Sequence, residues 1–415
     1  MTRHTLRIVL CCLSVSMVSA AGTAEPAGRP AQTMDLIFFT SNGKIGAINP
    51  DGTGKRAFDF SHMNQMSWQP LAPMPDGHRI VFWSREHPRD PNASFYDKDG
   101  LKYAPTHLWM HDMFDRTFAE IKLPPLIAIN GVLPEKKRLL VTGEPDGDDN
   151  TRIFTCNYDG SDMHQVYDCE GFAYGFSLSP DKRYVAFHAC KNGYEVYALE
   201  LASGKARKLA SDPNLLMFGT SFSPDSQWVL YQSCRYKTDP YHSHSDLRIS
   251  RPDGSETRLL DSGQRHWFGT AYGPKDDPGG GSNTPTFSPD GKWITYTRLL
   301  PGARTAWVHR PDRKDTDHFN CDYDLSVAHG GTQLCLIDIE SHIKVLTHDT
   351  PPVWNWRAAW SPDGKHLVFT RAAAGQTASL WRIDTDGKNL RKLCDGFNGK
   401  NADFPAWHTF TKPAN

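Results

Sequence analysis

No long basic run occurs in this chain. The longest stretch of Lys and Arg is Lys136-Lys137-Arg138, and 46 basic residues face 47 acidic ones, for a formal charge of −1. A nucleic acid or an anionic membrane surface calls for a concentrated cationic patch, so neither is an expected partner. No run of 18 apolar residues is present, so no transmembrane helix is expected. No Cys-x-x-Cys pair occurs, which argues against a zinc knuckle. There is no Gly-x-Ser-x-Gly elbow of a serine hydrolase. Pro278-Gly279-Gly280-Gly281-Ser282 lacks the Gly-Lys-Ser/Thr ending of a phosphate loop. Asp315-x-Asp317-His318 lacks the Gly and distal Glu of a calcium loop. What is present is 33 Gly and 29 Pro in 415 residues, with 39% apolar and 22% charged side chains. That composition is globular and rich in turns, and it excludes disordered, collagen-like and coiled-coil chains.

The N-terminus carries an address. Arg3 and Arg7 precede the apolar stretch from Ile8 to Val18, and Val18-Ser19-Ala20 offers small residues where signal peptidase reads. Residues 1–24 read as a cleaved secretory signal, 25–34 as a flexible lead-in and 35–410 as the folded domain. The mature chain is then secreted or periplasmic. Cleavage removes two of the 9 Cys and leaves Cys156, Cys169, Cys190, Cys234, Cys321, Cys335 and Cys394, an odd set with at least one unpaired thiol that reads as small buried hydrophobes with room for one or two disulfides.

Two hairpin patterns recur over the whole folded part. Ser-Pro-Asp-Gly or a variant precedes a strand-like run at Met74, Ser179, Ser223, Ser288 and Ser361, with a worn copy at Pro134-Glu135. Pro-Asp-Gly is a tight-turn signal, and the Val, Ile, Tyr, Phe and Trp that follow prefer strands. An Asp-Gly type turn between short strands recurs near residues 49, 113, 157, 202, 253, 339 and 385. Alternating the two hairpins gives four strands per unit of roughly 40–45 residues, the signature of a β-propeller blade. The reading is therefore all-β: a single propeller of seven four-stranded blades. Phe404-Pro405-Ala406-Trp407-His408 looks like an opening strand with nothing after it, and the first unit lacks one, so N- and C-terminal strands are expected to share one blade.

Five long insertions interrupt the repeat: Arg85 to Thr106, Arg235 to Ser245, Ser262 to Thr284, Leu300 to Thr332 and His348 to Asn355. Strand order predicts that all five leave the same end of the propeller, and loops of such length commonly carry function. They collect Tyr241, His242, His244 and Asp246, then His266, Trp267, Tyr272 and Lys275, then His318, then Trp354, Trp356 and Arg357. His242-x-His244, with Asp246 or His318, is a candidate set for one divalent metal ion; two solvated loop histidines are the alternative. Trp267, Trp354 and Trp356 offer flat faces for sugar rings or packing between blades, with one of Trp354 and Trp356 expected in the core and the other at the site. Arg357 fits a carboxylate clamp or a structural salt bridge.

The Ser-Pro-Asp-Gly-Lys and Asp-x-Asp-Gly hairpins resemble the TolB-like β-propeller superfamily over residues 35–410, and in fold the oligogalacturonate and ulvan lyases. The resemblance implies a carbohydrate-active propeller, in first place a lyase that cleaves uronate-containing glycans by β-elimination. That chemistry needs a base, an acid and a neutraliser for the uronate carboxylate. His242 or His244 is the expected base, Tyr241 or Tyr272 the acid, and Arg357 or Lys275 the neutraliser; His266, Trp267, His318, Trp354 and Trp356 would contact substrate. The lyases place a His-x-His pair just before an opening strand, and Asn283-Thr284-Pro285-Thr286-Phe287 has none. The alternative is a monomeric, non-catalytic binding propeller with a protein or glycan partner in the cell envelope.

Overall fold

The computed structural model describes residues 32–42, 44–58, 65–67, 72–86, 106–124, 127–146, 148, 150–189, 194–234, 245–265, 273–274, 277, 285–309 and 321–413. They form seven antiparallel blades, each of four strands a to d from the axis outwards. Blade 1 takes its inner strand from the C-terminus (Asp403–Thr411), which pairs with Thr33–Ser41, then Lys44–Ile48 and Arg56–Ala57. The closure expected from Phe404 to His408 is thus present, with Ile37 opposite Trp407 and Leu36 opposite His408.

In blade 2, Gln65–Ser67 and Ala72–Pro73 both pair with Arg79–Glu86, followed by Thr106–Asp112 and Phe118–Ile121. Blade 3 is Ile127–Leu133, Arg138–Gly143, Arg152–Asn157 and His164–Asp168. Blade 4 is Ala173–Leu178, Tyr184–Ala189, Glu195–Glu200 and Lys205–Ser211. Blade 5 is Leu216–Phe222, Val229–Cys234, Ser245–Ser250 and Thr257–Arg265. Blade 6 is Thr286–Phe287, Ile294–Leu299, Thr332–Ile337 and Ile343–Val345, with a small hairpin, Trp307–His309 and Cys321–Tyr323, inserted after its second strand. Blade 7 is Trp354–Trp360, His366–Ala372, Ser379–Asp384 and Arg391–Asp395.

The Ser-Pro-Asp turn repeats because its hydrogen bonds do. Ser179, Ser223, Ser288 and Ser361 each donate their hydroxyl to the Asp two residues on, at 2.5–2.7 Å. Each hydroxyl also accepts from the backbone N–H five residues on, at 2.9–3.0 Å, so one side chain pins the start of the second strand. Between blades the core is apolar, as where Leu334, Leu336, Leu346, Trp360, Leu367 and Phe369 pack. Cys156, Cys169, Cys335 and Cys394 are free thiols, and burial pushes their pKa values up to about 11–12.

Turn glycines sit at positive φ, and two of them separate strain from collision. Gly364 (φ +69°) has open space, with Pro289 Cδ 3.7 Å from where a Cβ would stand. A Cβ on Gly160 (φ +89°) would strike the carbonyl of Lys122. Gly364→Ala is expected to cost ~1–2 kcal/mol from backbone strain alone. Gly160→Ala should cost clearly more, and thermal unfolding of both variants checks the order.

Candidate functional site

In each blade the a–b and c–d turns leave one end and the b–c and d–a connections leave the other. The first end carries only the tight turns. The b–c connections of blades 2, 5 and 6 and the d–a connections from 5 to 6 and 6 to 7 hold all five insertions. The elaborated end is therefore single, as strand order predicted.

Three of the insertions are rooted on blades 5 and 6 upon a continuous chain of polar side chains. Arg248 donates to Ser233 Oγ (3.0 Å) and to Asp246 (3.2 Å). Ser262 Oγ donates to Asp246 (2.8 Å), and its backbone N–H donates to Asp261 (3.0 Å). The Tyr296 hydroxyl donates to Asp261 (2.9 Å), and Arg298 lies 3.5 Å from the same carboxylate. Burial, reinforced by the Asp261 charge, drives the Tyr296 phenol far above its usual range, so it stays protonated. The two aspartates are nearly buried, whereas Arg248 and Arg298 keep over a quarter of their side chains in solvent. The two guanidiniums are thus the more accessible members of two ion pairs. Sequence reasoning passed over Arg248, Asp261, Tyr296 and Arg298; the signal was polar side chains at the ends of otherwise apolar strands.

The insertion between blades 5 and 6 reaches two distant anchors. The Tyr323 hydroxyl, from the blade 6 insertion, donates to the Gly273 carbonyl. Asp277 accepts from the backbone N–H of Asn401 (2.6 Å), and its carbonyl accepts from the Asn401 side chain (2.9 Å). Asn401 lies just before the closing inner strand and also accepts from the Ala378 N–H (2.5 Å), so blades 5, 6, 7 and 1 meet at one rim. Arg357 stands beside that rim. Its guanidinium pairs with Asp403, two residues from Asn401, and lies 3.8 Å from the Phe404 ring centroid.

Inner strands bend where two residues oppose one. In blades 4, 5, 7 and 1 the register skips at Tyr174/Ser177, Phe218/Ser221, Trp356/Ala359 and Asp403/Ala406. The first bulged residue is Gly175 (φ +65°), Gly219 (+71°), Arg357 (+47°) and Phe404 (+53°). Arg357 and Phe404 thus hold a left-handed conformation that two other blades assign to glycine, and they lie against each other at the ring closure.

Tyr241, His242, His244, His266, Trp267, Tyr272, Lys275 and His318 lie outside the described residues. Asp246 is in place, but Arg248 and Ser262 occupy its carboxylate. Among the described residues no three His, Cys, Asp or Glu side chains come together as a metal site. Trp354 and Trp356 correct the expectation that one would face the site: they are 1% and 2% exposed. Residues two apart on a strand share a face, so both rings enter one cluster with Leu299, Ala303, Ala372 and Ala378.

No protein-family model matches the sequence, and no curated protein matches it. Among solved structures, a puromycin hydrolase mutant aligns with a TM-score of 0.55 at 14% identity, over 90% of this chain and 54% of that one, so the chain spans about half of it. The β-propeller domain of the Trilobed protease from Pyrococcus furiosus aligns at 0.51 and 14% identity, over 88% of this chain and 93% of that one. These two likenesses are of fold. Oligogalacturonate lyase in complex with manganese aligns at 0.47 and 14% identity, over 63% of this chain and 70% of that one. The hairpin repeat and the seven four-stranded sheets together make the chain a seven-bladed β-propeller in fold. No helix among the described residues is long and apolar enough to cross a membrane.

Proposed function

We propose that the chain is a carbohydrate-active propeller that binds a uronate-containing glycan at its elaborated end and cleaves it by β-elimination. The observation that carries this reading is the pair Arg248 and Arg298, each over a quarter exposed, at the roots of the two insertions whose sequences supply Tyr241, His242, His244 and Tyr272. Bidentate arginine suits a uronate carboxylate, and the insertion residues supply the base and acid. The leader, 1–24, is removed in this reading, and the mature protein works as a monomer outside the cytoplasm.

A second reading, a non-catalytic propeller for an envelope protein or glycan, is favoured by Arg357. Arg357 is paired with Asp403 and only 6% exposed, whereas Arg248 and Arg298, also paired, keep over a quarter of their side chains in solvent. Arg357 is therefore the weaker substrate neutraliser, and Lys275 is left for that role. Incubating the purified protein with uronate polysaccharides is expected to raise absorbance near 235 nm, where the unsaturated product absorbs. Loss of that rise with EDTA assigns the divalent metal. A flat trace across a broad panel, with no reducing sugar released, rejects the lyase and leaves the binding propeller.

A further inference from the structure

Four large apolar side chains stand well exposed among the described residues: Phe172, Leu259, Ile343 and Leu390. Leu259 and Ile343 lie on outer strands, and Leu390 adjoins one. Phe172 differs, because it sits in the connection from blade 3 to blade 4, on the elaborated end, and is 47% exposed. It is not a loosely hung side chain. Thr151 N–H donates to the Gly171 carbonyl (3.1 Å), Cys169 N–H donates to the Thr151 carbonyl (3.0 Å), and Ala173 N–H donates to Thr151 Oγ1 (3.0 Å). The Asn150 side chain accepts from Gly171 N–H at 2.6 Å.

Phe172 stacks on Tyr174 (centroids 5.3 Å apart, planes at 29°), and Tyr194 meets Tyr174 edge-on at 6.3 Å. Beneath them His188, 1% exposed, presses on the Tyr174 ring, and neither of its ring nitrogens has a hydrogen-bond partner among the described residues. Burial keeps this imidazole neutral, so the base of the stack brings no charge.

We propose that Phe172, Tyr174 and Tyr194 form a second glycan subsite that stacks a neutral pyranose ring, separate from the charged floor of blades 5 and 6. This rests on the carbohydrate-active reading above. A flat, fixed aromatic face suits the C–H face of a pyranose, while the phenol hydroxyls remain polar at its edge. The surroundings choose the sugar. Among the described residues, Glu144, Asp146, Asp148, Asp168 and Glu170 lie in the two segments that flank Phe172, and the cation in those segments is Arg152, which is already paired with Asp146, Asp148 and Asp168. On the described residues of these segments, five carboxylates and one guanidinium leave four negative charges, so a uronate is repelled where a neutral residue is not. The glycan engaged by the whole face is then mixed, with acidic residues at blades 5 and 6 and neutral ones at blade 4.

Affinity electrophoresis of the full protein through native gels containing neutral polysaccharides (xylan, galactan, mannan, glucan) or uronate polymers tests this. At least one neutral polymer is expected to retard the wild type. Phe172→Ala should weaken that retardation roughly tenfold, and Phe172→Trp should keep it. Phe172→Leu, apolar but without a flat face, is expected to lose it too, which guards against a folding defect in the alanine variant. Equal retardation of wild type and both weakened variants overturns the subsite. Retardation by uronate polymers alone overturns the subsite and leaves the proposed function standing. No retardation by any polymer overturns both.

Discussion

Acidification from pH 7 to pH 4 is expected to cost this fold about 3 kcal/mol through one side chain, His188. Burial pushes its pKa from 6.5 down to about 3, and its ring nitrogens have no acceptor among the described residues to hold a proton. The unfolded chain takes up that proton below about pH 6.5, whereas the folded chain refuses it until about pH 3. Stability is therefore full above pH 6.5 and falls steadily between those limits, because the unfolded state binds more protons there. His408, lowered to about 4 by burial, adds a smaller loss of the same sign. Carboxylates with lowered pKa values, such as Asp76 and Asp112, lose their contribution at the acid end of the same window. His188→Leu removes the largest of these contributions and keeps the others. Urea unfolding between pH 7 and pH 4 should show a slope in the variant shallower by about one proton. An unchanged slope would mean that His188 is protonated in the folded state and the apolar burial described above is wrong.

The position of His188 shows what was legible in the sequence and what was not. Counting nine residues on from Ser179, Ser223, Ser288 and Ser361 gives His188, Gln232, Thr297 and Thr370, all polar and all buried on second strands. Counting four back from Ser179, Ser223 and Ser361 gives Gly175, Gly219 and Arg357, the first residues of the inner-strand bulges. The repeat that revealed seven blades thus also held the register of the channel rim, and a closer alignment of the copies would have exposed Arg357 as an arginine in a glycine's place. Closure by the C-terminal strand was readable because an opening strand at Phe404 had no partner of its own in sequence. The polar floor was not readable in the same way. Arg248 and Asp246 belong to blade 5, Tyr296 and Arg298 to blade 6, and only the ring brings them together with Ser262. The Trp pair failed for a local reason: a spacing of two puts both rings on one side of a strand, so neither could face away from the other.

Removing the Asp403 carboxylate is expected to destabilise the ring by ~3–5 kcal/mol, because it leaves the buried Arg357 guanidinium without that counter-charge. Asp403 also accepts from Thr370 Oγ1 (2.9 Å) and from the Phe404 N–H (2.7 Å), which fixes the first turn of the closing strand. Arg357→Gly should cost less than Asp403→Ala. It breaks the same pair, but it returns ~1–2 kcal/mol of left-handed strain at φ +47° and leaves Asp403 its two other donors. The double variant should lose less than the sum of the two, since each single change strands a charge that the double change removes. Chemical denaturation of the three variants reads these values, and an Asp403→Ala loss below about 1 kcal/mol would show that the closure does not depend on the pair. The consequence reaches the elaborated end through the chain itself. Asn401, which holds Asp277, stands two residues before Asp403, so a loosened inner rim also releases the anchor of the insertion that spans blades 5 and 6. The glycan binding proposed above should then weaken in Asp403→Ala under conditions where the protein is still folded, which would couple the lock of the ring to the face that it supports.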